Sequence, residues 1–282
     1  LIFCRTIFLI VLQASHNGIK IFGGSGYKLD DDQEAEIESL MDELPQEALK
    51  SGAKLGRVID LKAEGNVSLQ AFAKGKLEGD SIVPQFEAAL KADKLDRAKD
   101  VQAEIQFVLD RKADCSVALQ ALRDGKLPLR VTHNDTKLNN ILIDRDTPEG
   151  ICVIDLDTTM PGLSINDFGD SIRSGTNTAA EDEKDLSKVY SKKEYFEALV
   201  CGYPSSAKFL NEAEKANLAF SARLITLTIG IRFLTDYLAG DTYFHTAYPE
   251  HNLVRCRTQF KMVESMEAQS DLYESIVKSY VK

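Results

Sequence analysis

The run His133-Asn134-Asp135-Thr136-Lys137-Leu138-Asn139-Asn140 constrains this chain more than any other stretch, because Asp155 follows fifteen residues after Asn140 in Cys152-Val153-Ile154-Asp155-Leu156-Asp157. The pattern is H-x-D-x-K-x-x-N, a β-rich connector, then a carboxylate closing an apolar strand. Transfer of a phosphoryl group to a hydroxyl needs a carboxylate to orient the acceptor and oxygen ligands to hold Mg²⁺ on the phosphates. Asp135 is then the candidate base, Asn140 and Asp155 are the candidate metal ligands, and Lys137 reaches the transferred phosphate. A plainer reading makes His-Asn-Asp a turn and Asn139-Asn140 a bend. That reading leaves the flanking apolar runs, Ile141-Leu142-Ile143 and Ile151 to Ile154, without a purpose.

Asp167-Phe168-Gly169 spells the metal-binding tripeptide of protein kinases, but it comes too late for that role. The Asp155 strand has already passed, and Asp170-Ser171-Ile172-Arg173 continues as a helix. In kinase-like folds a second buried Asp beyond the metal strand fixes the catalytic loop by accepting its backbone N–H groups. Asp167 is assigned to that supporting role, with His133 as the loop's own structural residue. Asp157 lies two residues beyond Asp155 and faces the other way if the strand continues, as a further carboxylate behind the ligands or as a ligand itself.

From Leu127 to about Glu267 the chain resembles the aminoglycoside/choline phosphotransferase superfamily, and within it the N-acetylhexosamine 1-kinases. The resemblance is carried by residues 129–140, Val153-Ile154-Asp155-Leu156-Asp157-Thr158, Met160-Pro161-Gly162 and residues 167–173. It continues through residues 181–189, Gly230-Ile231-Arg232-Phe233-Leu234-Thr235-Asp236-Tyr237-Leu238 and His251-Asn252-Leu253-Val254-Arg255. The resemblance implies an α+β, protein-kinase-like phosphotransferase: a predominantly helical C-lobe with a truncated N-lobe reduced to a short β-hairpin. It implies ATP as co-substrate, Mg²⁺ as cofactor and transfer to the anomeric hydroxyl of an N-acetylhexosamine, giving the sugar 1-phosphate. Asp135 would contact the sugar, and Arg232 is a candidate donor to its hydroxyls. The family's His-containing sugar-side motif has no counterpart here, since residues 71–85 contain no His. Two alternatives stay open: another small hydroxyl acceptor such as choline, homoserine or an aminoglycoside, and a non-catalytic C-lobe remnant.

The net charge of −10 argues against non-specific nucleic-acid or anionic-membrane binding. ATP and a sugar are the expected partners, with no nucleic acid and no membrane, for a monomer. Five scattered cysteines without C-x-x-C spacing fit a reducing cytoplasm, and Cys152, inside the apolar strand, is expected to be packed.

Residues 1–12 are apolar but too short to span a bilayer. With His16-Asn17-Gly18 and Ile19 to Phe22 they read as a hairpin. Residues 1–26 are taken as a remnant of an N-lobe and hinge, and 27–282 as the phosphotransferase C-lobe. An ATP lysine is not assigned, so this chain is expected to hold ATP from one side only. Helical patterning covers roughly Pro84 to Ala92, Leu95 to Asp124, Lys192 to Cys201, Asn211 to Leu238 and Asn252 to Tyr280. In the last, Leu253, Cys256, Phe260, Val263 and Met266 form a core-facing stripe.

Overall fold

A computed structural model describes residues 82–143, 145 and 150–281. All lie in the second of the two units into which the chain divides, residues 72–282. The expected hairpin and the 26/27 boundary lie outside the described residues.

Nine α-helices and four short strands make up the described part: α1 (Ile82–Ala92), α2 (Gln102–Arg111), α3 (Asp114–Arg123), β1 (Arg130–Thr132), β2 (Ile141–Ile143), β3 (Gly150–Val153), β4 (Met160–Gly162), α4 (Ser164–Gly175), α5 (Lys193–Ser206), α6 (Glu212–Ala216), α7 (Leu218–Ala239), α8 (His251–Ala268) and α9 (Ser270–Tyr280). The strands form two antiparallel pairs, β1 with β4 (Arg130 opposite Gly162) and β2 with β3 (Ile141 opposite Val153).

Helix α7 organises the rest, packing against α8, α4 and α1. Its Leu227, Ile231, Leu234 and Leu238 recur at three- and four-residue steps and are buried together with Phe86 of α1 and Val108 of α2. Its opposite end, through Leu218, Ala222 and Leu224, joins a second core with Phe168 and Ile172 of α4 and Phe196 of α5. Each such large side chain contributes about 1.5–3 kcal/mol by leaving water. This is the one helix among the described residues long and apolar enough to cross a membrane; its burial between other helices accounts for its composition. Gly240, at φ 100°, ends it and donates its N–H to the Asp236 and Tyr237 carbonyls. The five residues of the α8 stripe are all buried.

Several expected elements are divided. The helix over 95–124 is a 3₁₀ turn at 98–100 followed by α2 and α3. The Asp93 carboxylate accepts the Arg97 and Ala98 N–H groups, and Asp96 turns to φ 53°, so local bonding delays the helix. Asn217 separates α6 from α7 and Gln269 separates α8 from α9, both with ψ near zero. The strand through Ile154 does not continue past Asp155: residues 156–158 form a 3₁₀ turn, which removes the strand geometry assumed for Asp157. Cys152 is exposed rather than packed, because β2 and β3 have every residue exposed.

The strands are tied to the bundle by Glu214. Its carboxylate is 1 % exposed and accepts Arg130 Nε at 3.0 Å and Nη2 at 2.8 Å, Ser164 Oγ at 2.6 Å and Asn211 N at 2.7 Å, while Asn211 caps α6 in return. Burial alone would raise the carboxyl, but the donors from Arg130, Asn211 and Ser164 hold it below the ordinary value of 4.5. The unfolded chain therefore takes up the proton first. Stability from Glu214 is complete above that value and is lost as pH falls through the folded-state value. Urea titrations at pH 7 and pH 4 should show Glu214→Gln less stable than the parent at pH 7, and the gap should narrow at pH 4; a constant gap would contradict the linkage.

The glycine of Asp167-Phe168-Gly169 has a packing role. A Cβ there would lie 2.5 Å from the Ser221 carbonyl oxygen and 2.7 Å from the Ile225 side chain, so the α4 backbone comes up against the α7 backbone at this point. In an open helix Gly→Ala gains up to about 1 kcal/mol. Here Gly169→Ala should instead lower stability by about 1–3 kcal/mol, read by thermal unfolding; an unchanged or raised Tm would disprove the close approach.

Candidate active site

The loop between β1 and the 3₁₀ turn at 138–140 carries His133 to Lys137, and three groups hold it. Asp167, in the first turn of α4, accepts the His133 N–H on Oδ2 and the Asn134 N–H on Oδ1, each at 2.8 Å. Its own carbonyl accepts Thr136 Oγ1 at 2.6 Å and Ser171 Oγ at 3.0 Å. The His133 ring spans the loop: Nε2 lies 2.9 Å from the Ile154 carbonyl, and Nδ1 accepts the Asp135 N–H at 3.2 Å. With Nδ1 accepting and Nε2–H donating, the ring joins the Asp135 amide to the segment carrying Asp155. Finally, the Asn140 carbonyl accepts the Ile154 N–H at 2.9 Å.

These contacts bring three of the sequence-assigned residues, Asp135, Lys137 and Asn140, together. Lys137 Nζ lies 2.7 Å from Asp135 Oδ2, and Asn140 Nδ2 donates to the same oxygen at 2.9 Å and to the Asp135 carbonyl at 2.8 Å. Both side-chain bonds fall on Oδ2, which leaves Oδ1 as the oxygen that an acceptor hydroxyl can approach. Committing Nδ2 of the buried Asn140 leaves its Oδ1 as the group available to a cation. Asp155 sits one residue beyond Ile154 in the left-handed region, φ 60° and ψ 52°. Asp tolerates that region better than most residues, and a non-glycine held there commonly marks a functional site. No group of three or more His, Cys, Asp or Glu able to hold a metal occurs among the described residues. Asn140 and Asp155 would offer a cation one amide oxygen and one carboxylate; Mg²⁺ keeps waters and takes the rest of its shell from phosphates.

Arg232 lies two turns beyond Ile225 on α7, away from the contact with Gly169. Its Nη2 is 3.2 Å from the Tyr243 hydroxyl, and its guanidinium stands over the Tyr243 and Phe244 rings. The loop bearing these aromatics is fixed by Asp236, which accepts the N–H groups of Thr242, Tyr243 and Phe244 at 2.8–2.9 Å and Asn252 Nδ2 at 2.8 Å. Tyr243 is left 72 % exposed. His251 is buried, stacked on Tyr248 and paired with Asp182 at 3.3 Å; burial, aided by Arg255, depresses its pKa. Sequence reasoning gave no role to Asn134, Thr158, Asp236 or Tyr243. Only the left-handed tendency of Asn before an Asp hinted at the first.

The model of the phosphotransferase enzyme family matches residues 14–196, which include the whole catalytic loop, Asp155 and Asp167. The chain belongs to this family, a branch of the protein-kinase-like superfamily. Short segments also resemble phosphoglucosamine mutases. That of Bacillus subtilis (strain 168) is 52% identical over 68 residues, 22% of this chain and 15% of that protein. That of Phenylobacterium zucineum is 54% identical over 54 residues, 17% and 12% respectively, and that of Bacillus mycoides 43% over 109 residues, 30% and 23%. The chain thus spans less than a quarter of the length of these curated relatives.

Asp167 is half-buried, and burial lifts its carboxyl above the ordinary carboxylate value although the His133 and Asn134 N–H groups oppose the rise. Asp167→Ala strips two loop amides of their acceptor and should cost about 1–3 kcal/mol. Thermal unfolding measures that loss, and calorimetric Mg²⁺ titration measures the rest. Loss of Mg²⁺ binding with an unchanged Tm would make Asp167 the metal ligand in place of Asp155.

Proposed function

We propose that this chain carries the catalytic and acceptor-binding lobe of an ATP-dependent kinase that phosphorylates the anomeric hydroxyl of N-acetylhexosamines. The observation that carries this reading is the Asp135 carboxylate, fixed through Oδ2 by Lys137 and Asn140 with Oδ1 turned over to an acceptor. The anomeric O–H donates its proton to Asp135 as its oxygen attacks the γ-phosphorus, and the bond from that phosphorus to the β,γ-bridging oxygen breaks to release ADP. Asn140 Oδ1 and Asp155 are assigned to Mg²⁺, which when bound neutralises charge on the phosphates. Lys137, within reach of the same carboxylate, offsets charge on the transferred group.

The amino sugar is favoured by the sequence motifs and by Arg232 with Tyr243. An exposed phenol ring beside a guanidinium offers a stacking face and hydrogen-bond donors, a pairing suited to a pyranose. The mutase segments cover too little of those proteins to carry a mutase reading here. ADP release should be screened with N-acetylglucosamine, N-acetylgalactosamine, choline, homoserine and an aminoglycoside, with the product phosphate located by NMR. N-acetylhexosamine 1-phosphate is the expected product, and Asp135→Asn should lower kcat by about 10²–10⁴-fold with the fold intact. Phosphorylation of a different acceptor alone would reject the sugar, and near-parental transfer by Asp135→Asn would reject the base.

A further inference from the structure

Asn134 stands between His133 and Asp135 at φ 63°, a left-handed backbone that glycine would adopt more freely. Its side chain explains why it is not simply a turn residue. Nδ2 donates to the Thr158 carbonyl at 2.9 Å and lies 3.3 Å from the Thr132 carbonyl, while Oδ1 accepts Thr132 Oγ1 at 2.9 Å. Thr158 answers in the other direction, its Oγ1 donating to the His133 carbonyl at 2.6 Å. Thr132 Oγ1 lies equally 2.9 Å from the Met160 carbonyl, so its one proton is shared between two acceptors. Space for this arrangement is kept by Gly162, where a Cβ would lie 2.4 Å from Thr132 Oγ1 and 3.1 Å from Asn134 Oδ1.

The position of these bonds gives them a consequence for Asp155. On its N-terminal side, Ile154 is held to the catalytic loop by the His133 ring and the Asn140 carbonyl. On its C-terminal side, the 3₁₀ turn at 156–158 is held to the same loop by Asn134 and Thr158. The segment bearing Asp155 is therefore pinned at both ends to the loop bearing Asp135. We infer that Asn134 and Thr158 form a reciprocal clasp that sets the spacing of Asp135 and Asp155, and that both are positioning residues for phosphoryl transfer. The inference rests on the reading of Asp135 as the carboxylate that faces the acceptor. Neither residue needs to touch substrate. Asp155 already occupies a left-handed conformation, so a turn released at its far end can relax away from the base, and a misplacement of about 1 Å costs as much as about 10²-fold in rate.

The test uses the full chain with Mg-ATP and N-acetylglucosamine. Asn134→Gly keeps the left-handed backbone and removes the clasp; Thr158→Val removes the hydroxyl at nearly constant shape; Thr158→Ser restores it. Asn134→Gly and Thr158→Val should each lower kcat by about 10–100-fold with the sugar KM within about twofold, and the double variant should fall little further than the worse single one. Thr158→Ser should stay within about threefold of the parent. Parental kcat in either Asn134→Gly or Thr158→Val, multiplying losses in the double variant, or no recovery in Thr158→Ser would overturn the clasp. Hydrogen exchange separates this result from the functional reading. Asn134→Gly should speed exchange of the Asp135 and Thr159 amides by about tenfold or more while amides of α8 keep parental rates. If the parent transfers phosphate to no sugar, the functional reading fails, and unchanged exchange at Asp135 and Thr159 then rejects the clasp independently.

Discussion

The grip of Asp167 on two consecutive amides is the interaction on which the site depends. A loop that reverses direction between a short strand and a 3₁₀ turn has few backbone partners of its own, and its N–H groups need acceptors. A carboxylate presented by the first turn of α4 supplies two at once, at 2.8 Å each. Because α4 packs on α7 at the Gly169 contact, the loop inherits the rigidity of the helical bundle. Burial makes ionising Asp167 costly, and the two donors offset part of that cost.

Around that grip the fold divides its labour. The His133 ring and the Asn134–Thr158 pair join the loop to the segment bearing Asp155, whereas Arg130, Glu214 and Ser164 anchor β1 to α6 and α4. The chemistry-bearing groups, Asp135, Lys137 and Asn140, then need only short local bonds among themselves. The anchors come from elements distant in sequence, and the candidate reactive groups from residues close in it. The family match over residues 14–196 takes in both the loop and Asp167.

The loop beside Arg232 is built in the same manner. Asp236 at the end of α7 accepts three successive backbone N–H groups and thereby sets Tyr243 beside Arg232. Asp236 stood in plain view within a recognised motif, yet nothing in its neighbours announced an anchor. A single carboxylate in an apolar helix reads equally as a solvent-facing residue until its partners, six to eight positions on, are seen curling back over the helix end.

What the sequence determined by itself was the candidate loop cluster. Asp135, Lys137 and Asn140 lie within six residues, so loop geometry brings them together with little help, and the apolar runs on either side announce the strands that follow. The spacing of α8 residues likewise declared its buried face, because helical periodicity is a local property. The tertiary structure decided where elements stop and which residues connect them. Asp93, Asn217 and Gln269 interrupt helices through local bonding and backbone angles that periodicity does not register. Cys152 is exposed although its run is apolar, since burial depends on what lies opposite a strand rather than on the strand itself. Asn134 and Thr158 are twenty-four residues apart and share no pattern; their pairing exists only once β1 and β4 lie side by side, because hydrogen bonds are made between neighbours in space.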